Sequence, residues 1–301
     1  MSENRKFPPF ARCKADVRDL DVLVATMPIV IWSFIIFGVK SLVFIALGVL
    51  SSVAFELIAE FCLHKTAGKD IVNAVLVGLI ISLSVSPEAP LWLPVLGSAV
   101  GIFVAKYQFI FLARYGSLFS PVVLGVLVCA LHPENRNPFL DALRDTLYPD
   151  DGMLNVFLGN TKGALGTVSA MLITLSAIYL ISRKVLSIKT FALAVFIMTV
   201  LSATFIPQWT TFSDNVIYQV IGGGFLFYLV FVACDRVASP LTEAGKLIQG
   251  ALFAALVFSL RFYTDLPACE ALSAVAASLI APIIDIFTRP LPFGGAIRKV
   301  K

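Results

Sequence analysis

The sequence predicts an all-α integral membrane protein of about ten transmembrane helices, some short or broken, and three observations carry that expectation. Hydrophobic residues make up 58% of the 301 and charged residues only 14%, with a mean hydropathy of +0.91; soluble globular chains run to roughly 25% charged. Apolar windows recur along the chain between breakers, and since one helical span consumes about 20 residues plus a turn, ten fit. Lys and Arg are spread unevenly over the loops that these windows define.

The windows run from Val22 to Gly38, Ser41 to Leu63, Ile71 to Val85, Leu91 to Tyr107 and Phe119 to Leu131, and then from Gly163 to Ile181, Ile188 to Phe205, Val216 to Ala233, Leu247 to Phe262 and Leu272 to Phe287. Helices are expected because backbone groups in lipid must be satisfied within each segment, and the runs lack the strict alternation of a barrel strand. Segments ending at Pro87 or beginning near Pro121 are shorter than a crossing and read as half-helices inside the bundle. Gly222, Gly223 and Gly224 fall within the eighth window, as close helix contact or an unwound stretch would require. The expected organisation is a cytoplasmic segment 1–21, a five-helix half 22–131, an extracytoplasmic loop 132–162, a second five-helix half 163–288 and a cytoplasmic tail 289–301. An odd number of spans per half makes the halves inverted copies if they share an ancestor.

Orientation follows from the basic residues. With the N-terminus inside, only Lys40, Arg136, Arg144, Lys162 and Arg261 of the 23 Lys and Arg fall outside, the bias of the positive-inside rule. Both termini are then cytoplasmic and the long polar loop faces out. The first apolar run begins near residue 22, lacks a small-residue cleavage site and reads as a retained helix. The net charge of +4 reflects topology, not a nucleic-acid surface. Cys13, Cys62, Cys129, Cys234 and Cys269 are scattered without CxxC or Cys/His spacing, so no metal site is expected from this chain alone.

Ionisable residues within or beside apolar windows are costly and usually face a cavity or a partner. Glu56 and Glu60 lie four apart on one face of the second window, Asp235 adjoins Arg236 at a span end, and Asp285 lies deep in the tenth window. Glu56, Asp235 and Asp285 are ion-path candidates; the competing readings pair Glu60 with Lys65 and make Asp285 a cap on a neighbouring helix. His64 and His132 read as interfacial polar tips.

The stretch from Ala233 to Lys246, containing Asp235, Ser239, Pro240, Thr242, Gly245 and Lys246, resembles the Ala-Thr-Asp-Pro-Val-Thr-Ser-Pro-x-Thr-x-x-Gly-Lys signature of the D-type membrane subunit of Rnf electron-transport complexes. That family is shared with the B-type membrane subunit of the sodium-translocating NADH:quinone reductase. Ala281 to Asp285 with Thr288, Arg289 and Pro290 is similar to its closing Pro-Leu-Ile-Asp-x-x-Thr-Arg-Pro. Pro90, Leu91 and Trp92, then Ala105 and Lys106, then Phe119, Ser120 and Pro121 match its Pro-Leu-Trp, Gly-Lys and Phe-Asn-Pro landmarks in order. Phe157, Gly159, Gly163 and Gly166 resemble its glycine-rich approach to span six.

The resemblance implies a subunit in a bacterial inner membrane that works with other membrane, iron–sulfur and flavin subunits and couples electron transfer to Na+ or H+ movement. It implies FMN joined through its phosphate to a threonine of the outer loop, and a second, non-covalent flavin. The matching stretch here, Asp141 to Pro149, places Thr146 near that position without the family's Ser-Gly-Ala triplet; Ser120 stands for its asparagine, Arg236 for its proline, and Thr167 and Val168 for its Glu-Thr. These departures keep a second reading open, a flavin-less paralogue acting as a small-solute or ion transporter or a scaffold. No nucleotide-binding fingerprint is present, so the chain is at most one subunit of an enzyme; a homodimer stays open.

Overall fold

The computed structural model describes residues 9–62, 71–107, 120–135, 153–159, 163–205, 212–222, 224–233, 235, 238–264 and 268–288, with helices and irregular segments and no strand among them. The fold is an all-α membrane protein.

The first hairpin joins α1 (Pro9–Phe37) to α2 (Val39–Cys62) through Gly38 alone. Gly38 has φ +66°, a left-handed conformation that glycine enters without steric cost. Its N–H still reaches Phe34 O at 2.9 Å, and its carbonyl accepts the Ser41 hydroxyl at 2.8 Å. After α3 (Ile71–Leu83) come Pro87 and Pro90, which lack the N–H needed to continue a helix. α4 (Leu93–Ala99) runs directly into a π-helical stretch, Val100–Tyr107, and α5 (Pro121–Ala130) starts at an N-capping Ser120 with proline in its first turn. A short α6 (Met153–Leu158) precedes α7 (Ala170–Ser182), α8 (Ile188–Phe205) and α9 (Phe212–Ile221) and packs on α7 and α9. α10 (Phe225–Phe227) is prolonged by a second π-helical stretch, Tyr228–Ala233; α11 (Glu243–Tyr263) and α12 (Cys269–Thr288) complete the chain.

Length sorts these helices between lipid and interior. Among the described residues, five helices are long and apolar enough to cross a membrane: Val17–Phe37 of α1, then α2, α8, α11 and α12. Their 18 to 24 residues reach roughly 27–36 Å at 1.5 Å per residue, and they carry exposed Ile31, Leu50, Phe61, Phe196, Ile286 and Phe287. By contrast α3, α5 and α7, of 13, 10 and 13 residues, are at most about 20 Å long. α3 and α5 lie inside, with every residue of α3 from Leu76 to Leu83 buried, whereas α7 keeps Leu175 and Ile178 exposed on one face. Irregular backbone at membrane depth is tolerated where protein, not lipid, surrounds it.

The α2–α3 crossing is set by small residues used reciprocally. A Cβ on Gly48 would collide with Ser82 Oγ, and one on Gly78 with Ser52 Oγ, while lying 2.5 Å from Gly48 O. Each glycine thus receives the other helix's serine, and the backbones approach closely, as small-residue stripes in membranes allow. The order of packing recurs along the chain: α2 packs on α3 and α4, and α4 on α5; likewise α8 packs on α9 and α11, and α11 on α12. The two groups meet through α1 against α7 and α5 against α12.

One window differs from expectation, and the eighth takes the unwound form that its glycines left open. The sixth does not begin as a helix at Gly163: residues 163–169 are irregular and fully buried, and the helix starts at Ala170 behind its N-cap Ser169. The eighth is not one helix, because the chain unwinds at Gly222 and Gly224 between α9 and α10. Hydropathy registers burial in both places, and burial here is achieved without helix.

Candidate functional site

The helices before and after the 131–162 loop meet along a seam lined by α1, α3, α7 and α10. At the end where α1 enters lies a pocket of about 30 Å³, whose lining includes Arg18 and Asp19 of α1, Ile80 of α3, Leu180 of α7, and Phe231 and Asp235. That volume suits one or two waters or a small ion. Arg18 Nη2 donates to Val185 O at 3.2 Å. One turn further along α1, Asp21 Oδ1 accepts Arg183 through Nε and Nη2, both at 3.0 Å, so paired charges tie α1 to the end of α7.

Asp235 reaches the pocket because the second π-helical stretch ends two residues before it. Its Oδ2 accepts the Ser120 hydroxyl at 2.5 Å, while Ser120 Oγ itself accepts Val122 N–H at 3.2 Å. A serine hydroxyl has one hydrogen, so using its lone pair to cap α5 leaves that hydrogen for Asp235. One side chain thereby fixes the start of α5 and the carboxylate across the seam.

The opposite end of the seam is filled. Leu165 N–H donates to Val85 O at 3.0 Å and Gly166 N–H to Leu83 O at 2.6 Å, while Ser33 Oγ donates to Leu165 O at 2.5 Å. Asn135 closes the backbone around the end of α3: its Oδ1 accepts Ser86 N–H at 2.6 Å and its Nδ2 donates to Cys129 O at 2.9 Å.

The break between α9 and α10 frees carbonyls that no intrahelical N–H can reach. Arg261 of α11 supplies the donors: Nη1 to Gln219 O at 2.8 Å and Nη2 to Gly222 O at 3.4 Å. A cation is favourable at a helix C-terminus, and Glu270 balances it, accepting Nε at 3.0 Å and Nη2 at 2.7 Å with both side chains buried. Sequence reasoning counted Arg261 only as a loop cation and passed over Glu270. The available signal was a lone arginine ending one apolar window and an opposite charge opening the next.

Of the ion-path candidates, the structure brings only Asp235 to the pocket. Glu56 has no exposed surface, one turn beyond Ser52 on the face of α2 that packs on α3. Asp285 Oδ1 accepts Leu241 N–H at 3.0 Å, and Thr288 Oγ1 lies 2.6 Å from Thr242 Oγ1, the N-cap of α11. Leu241 and Thr242 of one landmark and Asp285 and Thr288 of the other are therefore two sides of one clasp. Thr146, Lys65 and His64 lie outside the described residues; His132 packs edge-on against Trp92 with ring centroids 5.2 Å apart. Among the glycine landmarks, Gly159 has φ +92° and ends α6, and a Cβ on Gly166 would lie 2.8 Å from Leu83 Cβ and from Phe227.

Comparison with known proteins fits these landmarks. The chain is 24% identical over 314 residues to the D component of the proton-translocating ferredoxin:NAD(+) oxidoreductase complex of Clostridium ljungdahlii, covering 95% of this chain and 94% of that one. It is 27% identical to the D component of the ion-translocating oxidoreductase complex of Methanosarcina acetivorans, covering 97% of both. It is 23% identical to the D component of the Na(+)-translocating ferredoxin:NAD(+) oxidoreductase complex of Acetobacterium woodii, covering 97% of this chain and 95% of that one. Residues 5–294 match the family described as NQR2, RnfD, RnfE, and the chain belongs to that family.

Proposed function

We propose that this chain is the membrane subunit of an Rnf-type ion-translocating oxidoreductase complex, set in a bacterial inner membrane with both termini cytoplasmic, and that Asp235 stands at the cytoplasmic end of an ion path along the seam. Its near full-length likeness to the D components of such complexes supports the assignment to the complex, and the Lys and Arg bias supports the orientation. The repeated packing order supports two five-helix halves divided by the 132–162 loop. The observation that carries the ion path is the pocket itself: an ion-sized space between the halves, with Asp19 and Asp235 in its wall and Arg18 beside them. Arg18 offsets one of the two carboxylates, so a cation is attracted more weakly than two bare carboxylates would attract it.

In this reading the partners are subunits carrying iron–sulfur clusters and flavin, with electrons passing from ferredoxin to NAD+ as the relatives' names state for those proteins. Thr146 in the outer loop carries FMN through a phosphoester, and bound flavin supplies the redox step. No step is assigned to a second flavin.

Two measurements test this. In vesicles holding the complete complex, Asp235→Asn abolishes ferredoxin-driven ion uptake, followed with radioactive sodium and with a pH-sensitive dye, while the complex still assembles; unchanged uptake of both ions ends the ion-path assignment. For the cofactor, the denatured wild-type band fluoresces as flavin and a Thr146→Ala band does not. A colourless wild-type band removes the covalent flavin and favours the flavin-less transporter or scaffold.

A further inference from the structure

We propose that residues 163–169 are a plug that seals the seam on the side away from Asp235, and that ions cross only when this segment leaves its seat between α1, the end of α3 and α10. The proposal rests on the reading of the seam as the ion path.

The first observation is what holds the segment. Every residue from Gly163 to Ser169 is buried, yet none is helical. Besides an internal turn, Thr167 N–H to Ala164 O at 3.0 Å, the backbone of the segment bonds to other elements: to Val85 O, to Leu83 O and from Ser33 Oγ. A helix satisfies itself and moves as a rod. A segment satisfied by its neighbours can exchange those bonds for water or an ion, which is why irregular backbone at membrane depth lines cavities in transporters.

The second observation is the fit. Gly166 leaves no room for a side chain against Leu83 and Phe227, and Gly224, at φ +89°, brings its backbone against Thr167, where an added Cβ would lie 2.9 Å from Cγ2. The unwound point between α9 and α10 is therefore part of the seat. It offers a place where α10 can turn without stretching a continuous helix.

The third is position. The pocket lining includes Ile80 and Val230, and the plug touches Leu83 and Phe227, each three residues away along the chain. Three residues are one helical turn, about 5 Å. Two of the elements that form the pocket also form the seat, and one turn of side chains separates an open end from a sealed one. A barrier that thin is opened by displacing one short segment.

The test uses the complete complex in membrane vesicles. In a Leu83→Cys/Gly166→Cys variant, oxidation cross-links the plug to its seat. Ferredoxin-driven uptake of radioactive sodium, and the accompanying dye response to pH, is lost on oxidation and returns on reduction. Uptake at the reduced rate after verified cross-linking overturns the plug. Should the added bulk at Gly166 prevent assembly, Thr167→Cys serves instead, with wild-type protein as background: an impermeant maleimide added from the extracytoplasmic side labels it during turnover and not at rest. Equal labelling in both states overturns the proposal. Asp235→Asn separates the two readings. If it pumps normally, the seam is not the path; if it abolishes pumping while the cross-linked variant pumps normally, the path stands and the plug alone fails.

Discussion

Gly38 and Gly78 are both irreplaceable in form but for opposite physical reasons, and substitution separates them. Gly38 has no atom within 4 Å of an added Cβ, so Gly38→Ala meets only the left-handed backbone at φ +66°, a cost of roughly 1–2 kcal/mol. Gly78 has ordinary backbone angles, but its Cβ would lie 2.5 Å from Gly48 O, and a carbonyl in a packed helix cannot step aside as a long side chain can. Overpacking of this kind costs about 1–3 kcal/mol, and for Gly78→Val, with two further methyls at the same contact, the upper end applies. Unfolding in mixed micelles by titrated detergent measures both; Gly78→Val as stable as wild type would contradict the crossing geometry. At this scale the sequence was partly legible. Asp285 stood out because a carboxylate in an apolar run is rare, but that it meets Leu241 N–H depends on how α12 and the turn before α11 come together. Spacing within either element does not encode that meeting.

At the scale of elements, hydropathy marks apolar windows because it measures preference for leaving water. It could not distinguish helix from buried irregular backbone. Residues 163–169, Gly222 and Gly224 are buried, and Val85, Leu83, Ser33 and Arg261, residues distant in sequence, bond to backbone groups there. The Arg261–Glu270 pair yields the prediction proper to this scale. Removing one member of a buried pair leaves an uncompensated charge, at a cost of about 3–5 kcal/mol, whereas replacing both by apolar groups is often far cheaper. Glu270→Leu is therefore expected to be less stable than Arg261→Leu/Glu270→Leu. The double variant keeps a residual deficit because Gln219 O and Gly222 O lose their donors. Thermal inactivation of the detergent-purified protein orders the three forms, and a double variant no better than Glu270→Leu would show that the pair is not coupled.

For the whole molecule, composition decided the class, since a chain with so few charges has too little polar surface for a water-facing exterior. Loop charges gave an orientation that packing alone does not supply. The assembly of the two groups of helices was not legible, because it rests on α1 against α7, α5 against α12, and the backbone pairing of 83–85 with 165–166. These contacts join the two groups across the seam, independently of the covalent tether that residues 131–162 provide. A protease site inserted after Asp141 tests that arrangement and the orientation together. Cleavage is expected when protease is added to right-side-out vesicles and not to inverted ones, as an extracytoplasmic loop requires. The two fragments are then expected to co-purify in mild detergent, since the ion pair of Asp21 with Arg183, the bond from Ser120 to Asp235 and the seam packing all survive the cut. Cleavage only in inverted vesicles would reverse the topology, and fragments that separate on purification would mean that the tether, not the seam, holds the molecule together.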